Sequence, residues 1–272
     1  TGASIATGAS AAAPAKRRIK IAVKYSMVQE DLSLMDKFKL LRDLGFDGVE
    51  VYTRNRNEER AYLAATEKSG LPIHGVVNAS EPDIISAVKM ADTLGASSVL
   101  ILAREDPKLS YDQNFRHWQN LVITAIPIAK KCQVRLLIEN VRATFLKTAE
   151  GMVRFIESFQ DPIVGSYYDT GNTITWTKQS AEHWAKVLGN HIGRIDVKDR
   201  GHREFGNEKL KSKTAMGTNG GEVHWQNVRK ELRKIDYQGW GTAEVAGGDR
   251  HRLARMAKWM DDVLGNSTPS EK

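Results

Sequence analysis

The feature that most constrains this chain is an alternation kept up from Ile19 to Leu264. Eight short apolar runs are each followed by a longer stretch with helical periodicity. The runs are residues 19–25, 48–52, 73–77, 98–102, 134–138, 163–168, 192–197 and 241–245. The helical stretches are residues 34–44, 58–69, 83–94, 114–131, 148–159, 181–188, 225–235 and 250–264. The apolar runs are continuous rather than alternating, which is the pattern of strands buried on both faces of a parallel sheet. Gly45, Gly70 and Gly95 stand where the first three helices need a left-handed stop. Eight βα units in roughly 250 residues is the size of a closed (β/α)₈ barrel. An open doubly wound sheet would want a glycine-rich phosphate turn after its first strand, and Ser26-Met27-Val28 contains no glycine. The expected fold is therefore α/β, a (β/α)₈ TIM barrel in one domain over residues 16–264, with 265–272 as a disordered tail.

Composition narrows the function classes. With 272 residues, 41% of them hydrophobic, the chain is long enough to bury a core without covalent staples. Its one cysteine, Cys132, rules out an internal disulfide and any cysteine-based zinc site, and reads as a small buried thiol. The net charge of +7 raises the question of nucleic acid. The basic residues are dispersed over outer helices, without interleaved aromatics or helix-turn-helix or zinc-finger spacing, so a solvated surface is expected instead. No segment approaches 18 continuous apolar residues, so no membrane span is expected.

Residues 1–15 are nearly all Ala, Gly, Ser and Thr, and Lys16-Arg17-Arg18 follows abruptly. Such a stretch cannot form part of a barrel wall. It resembles the remnant of an export signal of the twin-arginine kind, ending in the small-x-small site Ala13-Pro14-Ala15. That reading implies an exported, periplasmic protein; if the stretch is only a tail, the protein is cytoplasmic.

The chemistry is written at strand ends. Glu139 follows Leu136-Leu137-Ile138, Asp169 follows Tyr167-Tyr168, Asp196 lies in Arg194-Ile195-Asp196-Val197, and Glu244 follows Thr242-Ala243. Active sites of these barrels lie at the C-terminal ends of the strands. Carboxylates converging there repel one another unless a cation or shared protons neutralise them. Oxygen ligands of this kind favour Mn²⁺ or Mg²⁺, with Zn²⁺ or Co²⁺ as alternatives.

The same strand ends carry a resemblance over residues 19–264. Ile138-Glu139-Asn140, Asp169-Thr170-Gly171, Val197-Lys198-Asp199 and Gly239 through Glu244 are similar to the xylose-isomerase-like barrels of sugar isomerases and epimerases, which include tagatose epimerase and hydroxypyruvate isomerase. The resemblance places Glu139, Asp169, Asp196 and Glu244 at metal-ligand positions, and makes Glu139 and Glu244 the pair that moves protons. Two positions depart from the family pattern, which usually has histidine where Asp196 and Asn172 stand. Asp196 is then either a fourth carboxylate ligand or the ion-pair partner of Lys198, two residues on and on the same inward face.

The activity expected is a divalent-metal-dependent sugar isomerase or epimerase that abstracts a proton beside a carbonyl through a metal-stabilised enediolate. A lyase or dehydratase acting on a 3-keto sugar or glycoside would use the same residues. A carbohydrate-binding barrel without catalysis would fit the two missing histidines. The partner in each case is a small sugar or keto-sugar, and the chain is compatible with a homo-oligomer. Glu50, His74, Asn140, Asn172, Lys198 and Arg200 are the candidate substrate contacts. Tyr25 and Trp176 are candidates for stacking on a sugar face. His202 and Arg203 are further candidates on the long loop after the seventh strand.

Overall fold

The structure is a computed structural model that describes residues 18–78, 83–205 and 220–266. The 1–15 stretch and the loop residues Lys209, Lys211, Lys213 and Gly217 lie outside the described residues. Eight parallel strands close into a barrel in chain order. They are β1 (Lys20–Lys24), β2 (Gly48–Tyr52), β3 (Ile73–Asn78), β4 (Ser98–Ile101), β5 (Arg135–Glu139), β6 (Val164–Asp169), β7 (Ile192–Val197) and β8 (Trp240–Ala243). Ala22 on β1 is opposite both Gly48 on β2 and Thr242 on β8, which closes the ring.

Each strand is followed by one outer helix. These are α1 (Leu34–Asp43), α2 (Glu59–Ser69), α3 (Ile84–Thr93), α4 (Tyr111–Cys132), α5 (Ala149–Glu157), α6 (Ala181–Leu188), α7 (Trp225–Lys234) and α8 (Arg250–Leu264). Their starts are locally encoded. Ser33, Asp83, Thr148, Ser180 and Asp249 each accept a hydrogen bond from a backbone N–H in the first turn. Helix α4 begins three residues before the expected position because Ser110 and Gln113 form a reciprocal capping box. Gly45, Gly70 and Gly95 adopt φ of 88°, 73° and 69°, the left-handed geometry that ends a helix without a Cβ penalty.

The main core lies between barrel and helices, where Phe38, Leu41, Tyr62, Val88, Phe155, Trp184 and Leu253 are fully buried. Burial of each such side chain contributes on the order of 1.5–3 kcal/mol. A second, small cluster fills the barrel itself: Val77, Leu100, Leu102, Leu137 and Tyr167, with Tyr52 and Val141 against it.

Two expectations change here. Cys132 is only partly buried, because it ends α4 and packs at the margin of the core. Residues 265 and 266 belong to the domain rather than to a tail. Gly265 caps α8 at φ 75°, and Asn266 donates to the Ile19 carbonyl at 2.7 Å while accepting from its N–H. Basic surface residues engage acids, as in Arg250–Glu30 and Lys130–Asp161. Among the described residues no helix is long and apolar enough to cross a membrane.

Candidate metal centre

The four strand-end acids meet. Glu139, Asp169, Asp196 and Glu244 each offer a carboxylate oxygen, and these oxygens all lie within 4.8 Å of one another. Side chains alternate along a strand, so β6 and β7 place Asp169 and Asp196 on the inner face as register partners. Glu139 ends β5, and Glu244 stands just past β8 with its N–H donating to the Val197 carbonyl.

Two lysines enter the same cluster. Lys198 Nζ is 2.7 Å from Asp169 Oδ2 and 2.9 Å from Glu244 Oε2. It reaches them across Gly171, where a Cβ would sit 2.7 Å from the lysine's Cγ. Lys24, at the end of β1, is 3.3 Å and 3.4 Å from the two oxygens of Asp196 and 3.6 Å from Glu244 Oε1. Of the two alternatives for Asp196, the ion pair with Lys198 is not formed; Asp196 pairs with Lys24 instead. Beyond β7 the lysine chain crosses toward β6 and β8, whereas β1 brings Lys24 directly to Asp196. Lys24 is a site residue that the sequence reading missed, although Ile21-Ala22-Val23-Lys24 ends an apolar run with a charge just as the acidic strands do.

The donor set fits a divalent cation. Four carboxylates against two ammonium groups leave two negative charges in a largely buried space. Glu244 Oε2, although near Lys198, is a buried oxygen that receives no directed hydrogen bond. Oxygen donors of this kind could hold a hard divalent metal ion.

The family model of the xylose isomerase-like TIM barrel matches residues 38–263. The chain belongs to that family. This xylose isomerase-like barrel shares its fold with a 3-keto-D-glucoside 4-epimerase from E. coli at 14% identity and a TM-score of 0.70, covering 90% of this chain and 99% of that one. It likewise resembles a D-psicose 3-epimerase from Clostridium cellulolyticum H10, solved with D-tagatose, at 15% identity and a TM-score of 0.72, covering 91% and 98%. A third similar structure is the IOLI protein with a bound zinc atom, at 14% identity and a TM-score of 0.70, covering 93% and 100%. No curated protein sequence matches the chain.

The remaining candidates fall into three groups in this xylose isomerase-like barrel. Asn172, Lys198 and Arg200 line a cavity of about 320 Å³ with Lys24, Glu139 and Glu244. Trp176 also lines it, 39% exposed, with Arg142 over its ring. Asn172 takes the Glu139 carboxylate with its side-chain amide at 3.2 Å, and its own N–H donates to Asp169 at 2.8 Å.

Asn140 holds the backbone of Asp169. It donates to the Asp169 carbonyl at 2.9 Å and accepts from the Asp169 N–H at 2.8 Å.

Glu50 and His74 do not line the cavity. Tyr167 hydroxyl donates to Glu50, and Thr242 bridges Tyr167 at 3.1 Å and His74 at 3.0 Å. His74 stacks on Trp240 at 4.3 Å. Tyr167 and Thr242 stand two residues before Asp169 and Glu244 on the same inner faces, so this network sits one step deeper than the mouth. Among the loop and stacking candidates, His202 and Tyr25 pack away from the cavity. His202 is buried against Phe205 and Trp259, accepting from the Glu204 and Phe205 N–H groups. Tyr25 packs edge-on against Tyr62.

The environments push the acids apart. Burial drives Glu139 well above the ordinary carboxylate range, reinforced by the charges of Glu244 and Asp169. Burial also drives Asp196 well up, against the pull of Lys24. Burial raises Asp169 to about 7, with Lys198 opposing. Glu244 goes the other way: burial works against its charge, but Lys24 and Lys198 outweigh it and hold the carboxyl below its usual range. Asp199, the last residue of the Val-Lys-Asp motif, is raised to about 6 by burial. It accepts from the Glu222 and Val223 N–H groups and from the Trp225 indole, fastening the end of the long loop beside Arg200.

Proposed function

We propose that this protein is a divalent-metal-dependent sugar isomerase or epimerase that moves a proton on a carbon beside a carbonyl. The observation that carries the reading is four strand-end acids whose carboxylate oxygens lie within 4.8 Å of one another, two of them, Glu139 and Glu244, in the wall of one cavity. Glu244, ionised between two lysines, is placed to accept a proton from substrate carbon. Glu139, oriented by the Asn172 amide, is placed to return one. Strands β5 and β8 bring the two groups in from different sides of the mouth, the arrangement that delivery to another face or carbon requires. Asp169 is fixed by Asn140 and by the Asn172 N–H, and so enters the site in a single orientation. Held among these carboxylates, a divalent cation would supply Lewis-acid polarisation of the carbonyl oxygen. The similar structures include epimerases of keto-glucosides and of psicose, which supports a keto-sugar as the substrate class. Residues 1–15 support export, and an exported enzyme would meet unphosphorylated sugars.

The test is solvent isotope wash-in. Protein loaded with Mn²⁺ is incubated in D₂O with 3-keto-glucose, fructose and psicose, and the products are followed by NMR and mass spectrometry. The reading expects deuterium on a carbon adjacent to the carbonyl of at least one of them, with interconversion of stereoisomers or of aldose and ketose. Loss of water without interconversion would replace the isomerase by a lyase. No exchange into any keto-sugar, with metal bound, would overturn the reading.

A further inference from the structure

We propose that Asp196 is withheld from the metal by Lys24, so that the cation is bound by Glu139, Asp169 and Glu244 alone. This inference rests on the metal reading of the site given above.

The two lysines of the cluster hold their acids differently. Lys24 lies nearly equidistant from both oxygens of one carboxylate, at 3.3 Å and 3.4 Å. The side chains of this pair are 6% and 0% exposed. A cation taking Asp196 would have to strip an ammonium of its main partner in a space with almost no water, and the charge left behind would be buried and unpaired. Lys198 instead divides itself between one oxygen of Asp169 and one of Glu244, and its side chain is 20% exposed on the cavity wall. It can turn into the cavity and be solvated there, releasing both oxygens to a metal. Its head can also remain near Asn172, whose side-chain oxygen is 3.3 Å from Nζ. Metal binding is then an exchange at Lys198, while the Lys24–Asp196 pair stays closed.

The consequence is a site of three acidic ligands with a fixed ion pair as its floor. A metal with three protein oxygens keeps positions for water or substrate oxygens, which is what bidentate capture of a keto-sugar requires. Lys24 contributes to the cavity wall as a fixed positive charge beside Glu244.

The experiment is Mn²⁺ titration of EDTA-stripped protein by calorimetry and by electron paramagnetic resonance, which count bound ion without reference to turnover. The variants are D169N, K24M, D196N and K24M/D196N, with circular dichroism and melting temperature confirming that each is folded. D169N removes a ligand and is expected to weaken Mn²⁺ binding by about 100-fold or more. K24M/D196N removes the pair together, leaves no buried charge unpaired, and is expected to bind within about threefold of the parent protein. K24M alone frees Asp196 and removes a nearby positive charge, so Mn²⁺ binding tightens by roughly tenfold. Should K24M/D196N fail to fold, K24Q/D196N serves with the same expectation. The proposal is overturned if the double variant loses Mn²⁺ as D169N does, or if K24M leaves the affinity unchanged. Those outcomes leave the metal site standing with a different ligand set. If neither the parent protein nor K24M binds Mn²⁺ by either method, the metal reading itself falls.

Discussion

The inside of this barrel holds two polar layers, and they behave differently although both are built from buried titratable groups. The mouth layer sets Glu139, Asp169, Asp196 and Glu244 against two lysines and opens onto a cavity. The layer one step deeper sets Glu50 and His74 against neutral hydroxyls, Tyr167 and Thr242, within a closed interior. Burial raises the pKa of Glu50, as it does that of Glu139. Perturbation alone therefore does not mark a functional residue. What separates the layers is access together with opposed charge: in the mouth, carboxylates and two lysines face a cavity that a ligand can enter. In the deeper layer the hydrogen bonds run side chain to side chain and leave no such space.

The sharpest way to break this comparison is to neutralise one acid from each layer. Glu139→Gln and Glu244→Gln are each expected to lower turnover of the keto-sugar by about 10²–10⁴-fold while the protein stays folded. Glu50→Gln is expected to cost less than about tenfold, since Glu50 reaches no substrate. Steady-state kinetics on the three variants decide it, and an equal loss from Glu50→Gln would erase the distinction between layers.

The second test reverses the comparison, because the deeper layer should matter more for stability. Tyr167→Phe deprives Glu50 and Thr242 of their shared hydroxyl, and an unsatisfied buried polar group costs about 1–3 kcal/mol. Chemical denaturation at constant pH would show it as a lowered midpoint with unchanged slope.

A third difference is sensitivity to pH. Asp169 is raised from its ordinary value to about 7 in the folded chain. Between the unfolded-chain value and about 7, the folded protein keeps a proton that the unfolded chain has released. Stability of the metal-stripped protein therefore falls as pH rises through that window. Melting temperatures in EDTA should be lower near pH 8 than near pH 5.5, and Mn²⁺ should flatten the difference by compensating the ionised acids. The smallest effect is expected at His74. Burial, with the nearby charges of Arg194 and Lys24 adding to it, holds the imidazole well below its ordinary pKa. Replacement by Asn should leave the pH–rate profile between about pH 6 and 8 unchanged, although an ordinary histidine titrates there.

Much of this architecture was legible because the barrel repeats one simple instruction. Each apolar run of 19–25 or 98–102 type has no polar face to choose, and each helix is opened by a capping side chain and often closed by a glycine. The four acids were legible for a related reason: a carboxylate ending an apolar run is costly unless something meets it. Depth was not legible. Glu50 in Gly48-Val49-Glu50-Val51 and Glu139 in Leu137-Ile138-Glu139 look alike as strings, yet one lies in mid-strand and the other at the end. In a run buried on both faces, the pattern does not say how far along the barrel a side chain falls. Lys24 was missed because an isolated lysine at a strand end reads as solvent-facing, and only ring closure brings β1 beside β8 and within reach of Asp196. The tight helical turn over Thr170–Asn172, which aims Asn172 back at Glu139, was too short for its periodicity to show.

The central claim is that acids from neighbouring strands share one cation at the open end of the barrel. Anomalous diffraction at the manganese edge, from crystals grown or soaked with Mn²⁺, addresses it directly. The expected result is a single strong peak bridged by Glu139, Asp169 and Glu244, with Lys198 turned away from Asp169. A map with no peak among these carboxylates, and Lys198 still lodged between Asp169 and Glu244 at saturating Mn²⁺, would contradict the account.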